Sequence, residues 1–302
     1  MIDFLDYISS RILVFDGAMG TELYERGVPR GHCYDELNLS MPAMVESVHR
    51  DYIAAGAKAV ETNTFGANRH ILGIYYDLAD RAFDINERGA RIARAAAVGK
   101  GVFVAGSVGP VSRSYETEEE FSIEETESIF EEQISGLVSG GVDLIVLETF
   151  ADVRELLAAY RAAKWISSEL PVICSMSFVE GGRSVTGVTP GRAAAAMVEE
   201  GAKLLGANCG TGPRGVFSAV KSLAVEEGLT LSAMPNAGLP SFSDGHFEYW
   251  AEPEYMAHYA RKFAAAGVRI IGGCCGSRPA HIQAVAEVAE NLTPRNPKLA
   301  LA

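Results

Sequence analysis

The sequence contains no run of basic residues and no long hydrophobic stretch. Lys and Arg total 26 against 39 Asp and Glu, a formal net charge of −13. Phosphate contacts that release counterions need clustered Lys and Arg, so this balance excludes nucleic acid as a partner. No apolar stretch approaches the roughly 20 residues that cross a bilayer. The first ten residues, MIDFLDYISS, carry acids where a signal peptide carries positive charge. Together these absences predict a cytoplasmic protein with no membrane partner. Cysteine is scarce as well. The five are Cys33, Cys174, Cys209, Cys274 and Cys275. An odd, low count makes a poor disulfide framework, and clustered thiols in a reducing compartment point to metal binding or catalysis.

What is present is a regular alternation. Short β-rich runs fall at 12–15, 58–62, 102–106, 143–148, 171–178, 203–209, 229–234 and 268–273, and helical patterns lie between them. In the helical segment 254–267, Tyr255, Tyr259, Phe263 and Ala266 recur at the three- and four-residue spacing of a buried face. Gly56, Gly141, Gly201 and Gly267 stand where left-handed helix C-caps belong, and Thr189-Pro190 and Glu252-Pro253 read as helix starts. The strands are continuously apolar, as strands covered on both faces are. Eight such units predict an α/β fold, one (β/α)₈ TIM barrel over 1–302, with about 290–302 as a tail or linker. A doubly wound open sheet would rarely need eight units this regular. The acid-rich stretch 116–132 reads as a loop and the solvated first turns of a helix, where acids favour the positive dipole end.

Chemistry in such a barrel gathers at the C-terminal ends of the strands. Those ends carry Asp16-Gly17-Ala18, Glu61-Thr62, Ser107, Glu148-Thr149, Asn208-Cys209, Pro235-Asn236 and Gly273-Cys274-Cys275. Three of the five cysteines therefore sit at the sixth and eighth strand ends, separated by one neighbour. Soft thiolates select Zn²⁺, Cu(I) or iron–sulfur chemistry. Three thiolates on Zn²⁺ leave one ligand position and a charge of about −1, which suits activation of a thiol better than of water. Adjacent thiols can aim at one point only if the strand stops or kinks, and the flanking glycines permit that. Three other readings stand beside this one: Cys209 as a buried small hydrophobe, GGCCG as a phosphate loop, and a strained Cys274–Cys275 redox disulfide. Cys174 reads as packing, and Cys33 has no assigned role. Gly17, Ala18 and Gly20 would present backbone N–H groups to a carboxylate. Asp16 and Glu148 could pair with an ammonium group, or simply hold loops. The thiol site and these groups together describe an α-amino acid that carries a thiol.

The motifs DGAMGTELYERG, DELNLS, ETNTFGANR, GSVGP, DLIVLETF, ANCGTGP, SAMPNAGLP and RIIGGCCG resemble the homocysteine S-methyltransferase family. The likeness is to the homocysteine-binding domain of cobalamin-dependent methionine synthase and to the methyltransferase half of bifunctional homocysteine methyltransferase/methylenetetrahydrofolate reductases. It implies a barrel that methylates homocysteine to methionine. Zn²⁺ would sit on Cys209, Cys274 and Cys275, with Asp16, its glycine loop and Glu148 on the substrate's amino and carboxylate groups. Asn236 either guards the open metal position or bonds its own loop. The implied donor is methylcobalamin on a separate domain or corrinoid protein. S-methylmethionine, S-adenosylmethionine or a betaine-like donor, and a non-catalytic homocysteine-binding module, remain open alternatives.

Overall fold

The computed structural model describes residues 3–111, 121–224, 228–243 and 246–292. Its centre is a single eight-stranded parallel sheet. The strands, in chain order, are Leu13–Val14, Ala59–Glu61, Phe103–Val108, Leu144–Phe150, Val172–Met176, Leu204–Cys209, Thr230–Pro235 and Ile270–Ile271. Each pairs with its chain neighbour, and the first pairs with the last through Leu13↔Ile270 and Val14↔Ile271. A Phe15↔Ala59 bridge joins the first strand to the second and closes the ring. The eight predicted units are therefore all present, as a barrel.

Neighbouring residues of each strand serve two different cores, because successive side chains point to opposite faces. Leu13, Phe103, Leu144, Val146, Ile173 and Ile270 fill the barrel. Val14, Val104, Ile145, Leu147, Cys174 and Ile271 pack outward against the helices. Cys174 is thus packing, as its place within the fifth strand suggested.

Eight helices, Pro42–Ala54, Ala82–Ala97, Ile123–Gly140, Val153–Ile166, Pro190–Glu199, Pro213–Leu223, Pro253–Ala265 and Pro279–Ala289, return the chain between strands and after the last. Their ends follow local chemistry. Thr189 caps Pro190–Glu199 by accepting from Arg192 N, and Gly141, at φ 88°, closes Ile123–Gly140. Ser122 and Glu125 form a reciprocal capping box at the start of that helix. The acidic segment is here a helix start, as expected; its residues 116–120 lie outside the described residues, as do 293–302 of the expected tail.

Several elements were not foreseen, among them short helices at Met19–Glu25, Leu37–Ser40 and Arg69–Tyr76. The helix Phe4–Ser10, capped by Asp3, places Phe4 and Ile8 in the barrel-interior core, with the Phe4 ring edge-on to Phe103 at 5.6 Å. An antiparallel ribbon, Ser241–Ser243 with His246–Glu248, follows the seventh strand. Among the described residues no helix is long and apolar enough to cross a membrane.

Candidate functional site

The seventh strand draws the two cysteine-bearing ends together. Cys209 pairs with Pro235 in the sheet register, and the Pro235 carbonyl accepts the Cys274 N–H at 2.8 Å. Beyond it, Ala237 N–H donates to Cys275 O at 2.9 Å. The eighth strand has ended at Ile271, so Cys274 and Cys275 lie in a turn that need not alternate faces. Gly276 has φ 78°, and a Cβ there would lie 2.2 Å from the Tyr249 ring; glycine alone suits both demands. The Sγ atoms of Cys209, Cys274 and Cys275 fall within 4.8 Å of one another. Tetrahedral zinc with Zn–S bonds of about 2.3 Å needs sulfurs roughly 3.8 Å apart, so this donor set fits a thiophilic ion.

Three thiols this close cannot all ionise unaided. Contacts from Cys209 and Cys274 hold the Cys275 thiol well below the usual range. The same contacts, with burial, push Cys274 well above it. For Cys209, contact with Cys274 lowers the pKa, but contact with Cys275, burial and the Cys275 charge together bring it up to about 12. The negative charge therefore falls most readily on Cys275, and a bound cation would favour the thiolate form of all three. The backbone is strained here too. Cys209 at φ 56° and Thr149 at φ 64° both adopt left-handed angles, which cost non-glycine residues on the order of 1–3 kcal/mol. Asn208 ties the two together: its Oδ1 accepts Thr149 N–H at 2.8 Å and its Nδ2 donates to Thr149 Oγ1 at 2.6 Å.

The thiols border a cavity of about 600 Å³. Asp16, Glu61, Ser107 and Glu148 line the same cavity, one from each of the first four strands. Asp16 is 2% exposed; its Oδ2 accepts Glu61 N–H at 3.0 Å. Burial raises the Asp16 carboxyl well above the ordinary range despite that bond, and the charge of Glu148 adds to the rise. Burial likewise raises Glu61, with Glu148 and Asp16 contributing. Glu148 is pushed up to about 7 by burial, opposed by the Ser107 hydroxyl, which donates to its Oε1 at 2.5 Å, and assisted by Cys275. A shift in the chain register between Leu147 and Phe150 interrupts the strand beside Glu148, as bulges near sites do.

A family model described as homocysteine S-methyltransferase matches residues 13–289. The chain belongs to the homocysteine S-methyltransferase family. It is 36% identical over 307 residues to the methionine synthase of Mycobacterium tuberculosis, covering 96% of this chain and 26% of that protein. Against the methionine synthase of Mycobacterium leprae the identity is 35%, covering 94% and 25%. The chain spans about a quarter of the length of these curated relatives. Among solved structures, the metallated form of the homocysteine methyltransferase MmuM from Escherichia coli superposes with a TM-score of 0.75 at 24% identity, covering 92% of this chain and 96% of that one. This last likeness is one of fold.

The first loop is latched to the thiol turn. Ala18 N–H donates to Ser277 O at 3.0 Å, so it is not among the free N–H groups expected of the glycine loop. Met19, Gly20 and Thr21 form the first turn of the Met19–Glu25 helix, where N–H groups have no intrahelical acceptor, and they line the same cavity. Gly17 is required because a Cβ would meet Ser277 O at 2.9 Å and the Tyr52 ring at 3.0 Å. Asn236 is placed by a bond from Nδ2 to Gly210 O at 2.8 Å, which also leaves that nitrogen 3.9 Å from Cys209 Sγ; its Oδ1 is buried without a partner. Cys33 is buried away from the cluster against Ala67, Leu72, Ala82 and Ile85. The sequence reading assigned no role to Glu61. An acid closing an apolar strand was the available signal.

Proposed function

We propose that the chain transfers a methyl group to the sulfur of homocysteine, giving methionine, with Zn²⁺ held by Cys209, Cys274 and Cys275. The observation that carries this is the meeting of three thiols with buried carboxylates in the wall of one cavity, a combination suited to a thiol-bearing amino acid. Bound Zn²⁺ supplies a docking position for the substrate sulfur and favours its thiolate near neutral pH.

The protein's own groups do the rest by positioning. Asp16 and Glu148 accept hydrogen bonds from the substrate ammonium. Met19, Gly20 and Thr21, the first turn of a helix, line the same cavity, and their N–H groups receive the carboxylate, helped by the positive end of the helix dipole. Fixed at both ends, the substrate's sulfur is held for in-line attack on the donor methyl, where orientation is worth several kcal/mol. The Asn236 amide, close to Cys209 Sγ, is suited to stand in the open position before the substrate arrives.

The donor we favour is a methyl-corrinoid carried by another domain or protein, and the supporting fact is the likeness to methionine synthases of which this chain covers 26%. A specific observation favours a second reading. The cavity is lined by Tyr24, Tyr34, Phe65, Tyr76, Phe247 and Tyr249, and aromatic faces hold sulfonium or ammonium cations. S-Methylmethionine, S-adenosylmethionine and betaine-like donors belong to that class. Assaying the zinc-loaded protein with homocysteine and each donor in turn decides between them. Methionine from methylcobalamin is expected; methionine only from a cationic donor establishes the second reading. No methionine from any donor leaves a binding module and overturns the enzymatic reading.

A further inference from the structure

Two acceptors in the cavity wall lack a donor. Asp16 Oδ1 and Glu61 Oε1 are both buried and have no hydrogen-bond partner among the described residues. Leaving a buried acceptor unpaired costs on the order of 1–3 kcal/mol, and more when it is charged. The arrangement is not accidental slack in Asp16. The bond from Glu61 N–H to its Oδ2 at 3.0 Å fixes the carboxylate, so its second oxygen is left for something else. Glu148 is spent on one side only: Ser107 Oγ–H donates to Oε1 at 2.5 Å, whereas Asn208 Nδ2 reaches Oε2 at a long 3.4 Å. Three carboxyl groups on the first, second and fourth strands thus each keep an oxygen unbonded or weakly bonded, all in the wall of one cavity.

We propose that Glu61 is the third arm of an ammonium cradle, and that the substrate's α-amino group gives one N–H each to Asp16, Glu61 and Glu148. A primary ammonium carries three donors and no acceptor, which matches three acceptors and no donor. This deepens the homocysteine reading and rests on it. It makes Glu61 a specificity-determining residue: a thiol acid without the amino group leaves the carboxyl groups unpaired and is rejected, as sites built to bond a polar group reject analogues that lack it. Burial, with the charge of Glu148, raises both Asp16 and Glu61, and an arriving ammonium favours their charged, accepting forms.

The test compares wild type with Glu61→Gln on L-homocysteine and on 4-sulfanylbutanoate, the same thiol acid without its amino group, with zinc content measured alongside. The expected result is a KM for homocysteine raised about 10- to 100-fold. Zinc content and kcat should stay near wild type, and the KM for 4-sulfanylbutanoate should be unchanged. Glu61→Asp, which keeps the charge, should recover part of the loss, and it reads the same ratio if Glu61→Gln does not fold. Equal losses on both thiols, or none on either, overturn the cradle. A wild type that binds homocysteine in a calorimeter but never methylates it defeats the functional reading instead, and the ratio of dissociation constants for the two thiols then decides the cradle.

Discussion

The barrel mouth has two unlike halves. Strands one to four contribute Asp16, Glu61, Ser107 and Glu148, hard oxygen groups among which Asp16 Oδ1 and Glu61 Oε1 are buried with no donor among the described residues. Strands six to eight contribute Cys209, Cys274 and Cys275, soft sulfur groups of which Cys275 is exposed. Each half calls for its own kind of partner. The acid half suits a cation with N–H donors, and the thiol half suits a cation that binds sulfur. A molecule with an ammonium at one end and a thiol at the other satisfies both only if a metal completes the sulfur side. The division of labour between amino-acid recognition and sulfur chemistry is therefore written in the hardness of the side chains.

Breaking the thiol half should have the largest effect. Cys209→Ala, Cys274→Ala or Cys275→Ala is expected to lose zinc and to lower turnover on the order of 10³-fold or more, since a metal supplies several kcal/mol. Metal analysis and an activity assay on protein shown folded by circular dichroism check this. Any of the three that keeps both zinc and activity refutes the ligand set.

Asn208 sits on the seam. Besides Thr149 it reaches Glu148 Oε2 at 3.4 Å and Cys274 Sγ at 3.9 Å. Asn208→Ala should weaken zinc by about 10- to 100-fold, the usual cost of removing a group that orients ligands, and raise the homocysteine KM in the same protein. A chelator competition titration beside steady-state kinetics would separate the two; an effect on one half alone means the halves are not joined through this residue.

The smallest effect sharpens the acid half. Glu148, at about 7, pairs with an ammonium only as the carboxylate, so kcat/KM should fall as pH drops below 7. The Ser107 hydroxyl favours the charged form. Ser107→Ala should therefore raise that pKa further and move the acid limb of the pH profile to higher pH. A limb that stays in place, or moves to lower pH, contradicts the assignment of Glu148.

The thiol half was more legible in the sequence than the acid half. Adjacent cysteines among glycines are rare, and simple counting leaves a single strand between their strand and that of Cys209. Glu61 looked like any acid at a strand end, because being unpaired is a property of the folded environment. The N-terminal helix left a trace in the three- and four-residue spacing of Phe4, Tyr7 and Ile8, and the ribbon left one in Ser243-Asp244-Gly245, a turn signal between short β-rich runs.

By itself the sequence determined the repeating βα units, the apolar strands buried on two faces and the cysteine-bearing ends, because periodicity and residue type are local quantities. Only the tertiary structure decided that Ala18 spends its N–H on Ser277, that Asn208 bridges the two halves, and that Asp16 and Glu61 keep an oxygen each in reserve. Those facts depend on which distant groups arrive within hydrogen-bonding distance once the ring has closed, and no short stretch of chain contains that information.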